Sequence, residues 1–129
     1  MIVVDASAMI ESLLRAGDAK AVDARLFAAP SLHAPHLIDV EVAQVMRRIA
    51  ERREISADQG RHALENLAAF PLTRHPHDLL LARMWRLRQN FTAYDAAYVA
   101  LAEVLDAALL TRDRRLAAAA KRLVRVTLV

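Results

Sequence analysis

Residues 2–7 read Ile2-Val3-Val4-Asp5-Ala6-Ser7, and the same design returns late in the chain as Ala107-Ala108-Leu109-Leu110-Thr111-Arg112-Asp113. Ile2 to Val4 is a β-branched run, the composition of a strand buried on both faces. It ends on Asp5, and a helix-compatible apolar stretch (Ala8, Met9, Ile10, Leu13, Leu14) follows at once. A strand that delivers an acid to its carboxyl end, with a helix starting there, puts that acid where open α/β sheets keep their sites. Asp5 and Ser7 are also good N-cap residues, so a helix cap accounts for either one taken alone.

Outward from these two stretches the chain alternates. Gly17 breaks the first helix, and Asp18 to Phe27 reads as a second. Leu32-His33-Ala34, bracketed by Pro30 and Pro35, suits a short strand. His36 to Arg53 is the longest amphipathic segment, with Ile38, Val42, Val45, Met46 and Ile49 as its apolar stripe. Ser56-Ala57-Asp58-Gln59 is a capping box opening a helix through Leu67. Phe70 to Pro76 reads as extended and Asp78 to Arg88 as helical. Thr92-Ala93-Tyr94-Asp95 is a second capping box whose helix runs to about Leu105. Ala107 to Thr111 is a buried strand, Asp113 starts a terminal helix, and Val124 to Val129 is a last strand. Strands separated by helices predict an α/β fold with a mainly parallel sheet. Right-handed crossovers then align the strands' carboxyl ends on one edge.

The 129 residues are one domain's worth, and a 56% hydrophobic share excludes a disordered chain. With no cysteine, neither a disulfide framework nor a thiolate zinc site can form. Gly17 and Gly60 are the only glycines, so neither GxGxxG nor GxxxxGK[ST] can be written. Asp5 interrupts the only run resembling a signal peptide, and the longest uncharged apolar stretch, Ala96 to Ala102, is too short for a bilayer. A soluble, cytoplasmic protein without a membrane partner is expected. The net charge of +3 favours polyanionic partners, although much of the arginine follows an Ala- and Arg-rich composition.

Four carboxylates stand out. Glu41 lies within the arc of Ile38, Val42 and Val45, where an ionised side chain is costly unless paired or coordinated. The competing reading is a stripe-edge Glu that reaches solvent or pairs with an Arg. Asp95 fits a capping box, yet Ala96, Ala97, Tyr98 and Val99 describe a helix buried on most sides. Asp113 repeats the strand-then-acid arrangement of Asp5, again with an N-cap as the alternative. All four fall where one sheet edge can gather them. Four carboxylates about 5 Å apart repel by roughly 3 kcal/mol per pair at an effective dielectric of 20. Such a cluster takes up protons or a divalent cation, and hard oxygen donors select Mg²⁺ or Mn²⁺. Ser7 and Thr111 are placed to support a carboxylate or water, although capping also explains Ser7. Arg112, Arg114 and Arg115 surround Asp113 in sequence and suit phosphate, or else form a solvated helix face. His75-Pro76-His77 reads as plain surface.

Together, Ile2 to Ala8, Glu41 in a helix after a Pro-bracketed strand, Thr92-Ala-Tyr-Asp-Ala-Ala-Tyr98 and Leu109-Leu-Thr-Arg-Asp-Arg-Arg-Leu116 resemble PIN-domain ribonucleases, and more narrowly VapC toxins of type II toxin–antitoxin pairs. The likeness runs along essentially the whole chain. It implies a three-layer α/β/α fold over residues 1–129. It also implies an acidic Mg²⁺ or Mn²⁺ centre of Asp5, Glu41, Asp95 and Asp113, and cleavage of RNA. A homodimer and a cognate VapB-type antitoxin are implied as well. Asp113 is the position where that pattern varies most.

Two other readings compete. An aspartate-nucleophile phosphatase usually carries a second Asp two residues after the first, where Ser7 stands, and has a phosphate-holding Lys that neither Lys20 nor Lys121 supplies. A non-catalytic nucleic-acid-binding module would use the acids as caps and ion pairs.

Overall fold

The computed structural model describes residues 1–129. Five strands form one sheet: β1 (Ile2–Val4), β2 (Leu32–Pro35), β3 (Thr73–His75), β4 (Ala108–Thr111) and β5 (Val126–Leu128). Seven helices join them: α1 (Ala6–Leu14), α2 (Ala19–Ala28), α3 (Leu37–Glu51), α4 (Ala57–Ala69), α5 (Leu81–Arg86), α6 (Ala93–Leu105) and α7 (Arg114–Ala120). The order across the sheet is β3-β2-β1-β4-β5, and every pair is parallel. The expectation of a mainly parallel sheet is thus met in full.

That order decides where a site forms. From β1 the chain steps outward to β2 and β3, then crosses back to β4 on the other side of β1. The β1–β4 boundary is a topological switch point, and in open parallel sheets ligands bind in the crevice beyond the strand ends there. Asp5 follows β1 and Asp113 follows β4. Right-handed crossovers place α1 to α4 on one face and α5 to α7 on the other, giving three layers. Strands covered on both faces should be apolar throughout. Val3, Val4, Leu109 and Leu110 are all fully buried.

Two sequence readings need correction. Asp78 to Arg88 is not one helix: a 3₁₀ turn at Asp78–Leu80, closed by the Leu80 N–H to the His77 carbonyl at 2.8 Å, precedes the short α5. Within this stretch Leu81 is 56% exposed, while Leu80 and Leu87 are buried. The His75-Pro76-His77 segment is not plain surface. His75 Nε2 lies 2.9 Å from His33 Nδ1 on the neighbouring strand, and His77 Nε2 accepts the Leu37 N–H at 2.9 Å, serving the start of α3.

Candidate active site

Asp5 occupies the N-cap position of α1, but its carboxylate makes no cap hydrogen bond. It is 7% exposed, and its Oδ2 accepts two short bonds, from Ser7 Oγ and Thr111 Oγ1, each at 2.6 Å. Neither hydroxyl is merely a donor. Ser7 Oγ accepts the Arg112 N–H at 3.0 Å, and Thr111 Oγ1 accepts the Asp113 N–H at 2.9 Å. The two hydroxyls therefore fasten the end of β1 to the end of β4 through one buried carboxylate. Bonds to an ionised acceptor are the strong kind. Capping does not explain Ser7, which lies inside α1 with its hydroxyl on Asp5.

Glu41 sits just over one turn into α3 and is half-buried. No Arg meets it: its Oε1 accepts the phenolic proton of Tyr98 at 2.7 Å. Burial pushes the Glu41 carboxyl above the usual carboxylate range, the Tyr98 bond opposes that, and the charges of Asp5 and Asp95 add to it. Tyr98 is 1% exposed, and burial with the neighbouring Glu41 charge holds its phenol protonated.

Asp95 belongs to only half a capping box. Thr92 Oγ1 accepts the Asp95 N–H at 3.2 Å, whereas Ser56 and Gln59 of α4 bond reciprocally. The Asp95 carboxylate instead meets Arg115 at 3.4 Å. Its carboxyl is raised by burial and by Asp5, against the opposing pull of Arg115. Asp113 does cap α7, its Oδ1 accepting the Leu116 N–H at 3.0 Å.

Asp5, Glu41, Asp95 and Asp113 all line one cleft of about 560 Å³ at the carboxyl edge of the sheet, with Ser7 and Tyr94 on its walls. No three of the carboxylates stand close enough to enclose an ion by themselves. That suits a hydrated ion, since Mg²⁺ commonly takes one or two carboxylates and keeps several waters. The donors are all hard oxygens, and Glu41 and Asp95 are raised by burial with the neighbouring carboxylate charges adding to it, so the residues fit a divalent cation.

Arg112 departs from the sequence reading. Its backbone N–H supports Ser7, but its guanidinium is taken up by Asp18 at 3.1 Å and Glu11 at 3.5 Å, so it does not flank Asp113 as a phosphate holder. Tyr98 was missed as a site residue and read only as core. Its signal was positional: it follows Asp95 by three residues, one turn along the same helical face.

A protein-family model described as the PIN domain matches residues 2–122. The chain belongs to the PIN-domain family. The matched span contains all four cleft carboxylates. Among curated relatives, the VapC ribonuclease Mb0985 of Mycobacterium bovis is 49% identical over 116 residues, covering 90% of this chain and 88% of that protein. This is a PIN-domain chain of the VapC type. Among solved structures, PAE2754 from Pyrobaculum aerophilum superposes with a TM-score of 0.70 at 26% identity, covering 97% of this chain and 81% of that one. VapBC2 from Rickettsia felis, solved bound to a DNA fragment from their promoter, gives 0.69 at 13% identity over 98% of each chain. The latter likeness is one of fold.

Proposed function

We propose that this PIN-domain chain is a Mg²⁺- or Mn²⁺-dependent endoribonuclease and the toxin of a toxin–antitoxin pair, with residues 1–129 acting as a single catalytic domain. The observation that carries the reading is the convergence of four carboxylates from three layers of the fold in one cleft, one of them clamped by two hydroxyls. The kinship with a VapC ribonuclease supports the same reaction class. Asp5, Glu41 and Asp95 would hold the ion, with Asp113 as a fourth, partly committed oxygen source. Bound there, the ion supplies Lewis-acid polarisation of the scissile phosphate and an acidified water.

The chain's own residues do the positioning. Ser7 and Thr111 fix the Asp5 carboxylate, and Tyr98 fixes Glu41. Such supporting bonds set the orientation and basicity of ligands. Arg115, beside Asp95 and largely exposed, offers a cation to an incoming phosphate. A VapB-type antitoxin, a homodimeric state and a cytoplasmic setting complete the proposal, on the strength of the VapC kinship. No helix is long and apolar enough to cross a membrane.

The test is cleavage of a panel of structured RNAs in Mg²⁺, Mn²⁺ and EDTA, wild type beside Asp5→Asn. Cleavage with either metal, lost in EDTA and in the variant, is expected. A folded Asp5→Asn protein that cuts at the wild-type rate sinks the assignment. RNA held equally in chelator and never cut would favour a binding module, and a trapped phosphoryl-aspartate a phosphatase.

A further inference from the structure

The polar surface does not end at Asp95. Arg115, which meets Asp95 at 3.4 Å, also lines a separate groove of about 530 Å³ between α7 and the segment joining α5 to α6. The sequence of α7 explains its form. Arg115, Ala118 and Ala119 share one face of α7 at i, i+3 and i+4, and Arg122 follows in the turn just past its end, so the groove carries a cation at each end with methyl groups between. Two guanidinium groups thus flank one trench. Its opposite wall comes from Leu87, Asn90 and Phe91.

These cations are not consumed by the fold. Arg122 enters none of the ion pairs, and Arg115 is 76% exposed with one long contact. The adjoining hollow is of mixed charge, with Lys121 and Arg125 beside Glu103 and Asp106. An apolar floor between spaced guanidinium groups complements a single nucleic-acid strand, whose phosphates meet the cations while a base or ribose face lies on the floor. A cation gains nothing here, and a purely apolar partner would strand both arginines.

We propose that this groove is a strand-tracking subsite, which holds single-stranded RNA flanking the scissile bond with phosphates on Arg115 and Arg122. The proposal rests on the ribonuclease reading and extends it. Arg122 lies beyond the carboxylates, so it contributes to binding of the strand and not to the chemical step.

The test is steady-state cleavage of a single-stranded RNA by the metal-loaded protein across a salt series. Arg122→Ala should raise KM severalfold at unchanged kcat and make the slope of log KM against log salt shallower by about 0.7, the value of one lost phosphate contact on a single strand. Arg122→Lys should restore most of the loss, and Arg122→Gln replaces the alanine variant if that fails to fold. Lys20→Ala on α2, equally a lone exposed cation, should change neither quantity. Unchanged KM and slope in Arg122→Ala, with wild type cutting normally, overturn the subsite and leave the ribonuclease reading standing. A fall in kcat alone overturns it too, as does a drop in solution mass by light scattering with KM unaltered, which would assign the groove to a protein contact. Failure of the wild type to cut any RNA with either metal overturns both readings.

Discussion

Tyr98 donates its phenolic proton to Glu41 Oε1 at 2.7 Å, joining α6 to α3 through a carboxylate that lines the acidic cleft. The bond favours the ionised carboxylate against the burial that disfavours it. Tyr98→Phe keeps the ring and removes only the donor. Glu41 then binds its proton more tightly, so the acid limb of the rate–pH profile moves to higher pH. The loss of such a supporting bond typically costs 10–100-fold in metal affinity or activity, roughly the effect expected here. Mg²⁺ titration of cleavage at two pH values measures it, and an unchanged profile would remove Glu41 from the centre.

Thr111→Val tests the clamp on Asp5. The valine keeps the shape, yet Asp5 loses a 2.6 Å donor and the Asp113 N–H loses its acceptor. A hydrogen bond to a charged group is worth about 1.5–3 kcal/mol, and the variant should be less stable by an amount in that range. Ser7→Ala removes the other donor. Because both hydroxyls serve one oxygen and lie 3.3 Å apart, the double variant should depart from additivity in denaturant melts. Strict additivity would mean that the two hydroxyls act independently.

How much of this was readable from the chain depends on the range of the interaction. Strand-then-acid at Asp5 and Asp113 is local, and both acids lie at the predicted sheet edge. The burial of Val3, Val4, Leu109 and Leu110 follows from unbroken apolar runs. The capping box at Ser56 and Gln59 is equally local, and it formed as read. What was hidden is the choice among partners far apart in sequence. Thr92-x-x-Asp95 has the letters of a closed box, but a carboxylate beside Asp5, Asp113 and Arg115 has alternatives that the four-letter pattern omits. Arg112 is the same case in reverse. Its neighbour in sequence is Asp113, but its neighbours in space are Glu11 and Asp18, brought there by the adjacency of β1 and β4. The β2–β3 pairing likewise turned a surface histidine segment into a cross-strand contact.

Arg112→Gln separates support from substrate binding. With its side chain 28% exposed and its guanidinium shared between Glu11 and Asp18, Arg112 should contribute at most about 1 kcal/mol through these pairs. The variant keeps the backbone N–H on Ser7, so KM for RNA should stay within twofold of wild type while the melting temperature falls slightly. A large rise in KM at unchanged stability would restore Arg112 as a phosphate contact.

The acidic cleft also sets how stability responds to pH and metal. Glu41 and Asp95 both titrate above ordinary carboxylates, chiefly through burial and with the nearby Asp5 charge adding to it. Between the ordinary carboxylate value near about 4 and these raised values, the folded protein binds more protons than the unfolded chain. Stability therefore falls as pH rises through that window, the reverse of a salt-bridged carboxylate. Melts in EDTA should lose stability as pH rises above the ordinary carboxylate range on account of these two groups, and Glu41→Gln or Asp95→Asn should flatten the dependence. Added Mg²⁺ should act oppositely. Its ligands must be ionised, so the stabilisation it gives should grow as pH rises through the same window. Metal-induced stabilisation that is equal at both ends of the window would show that the ion binds elsewhere.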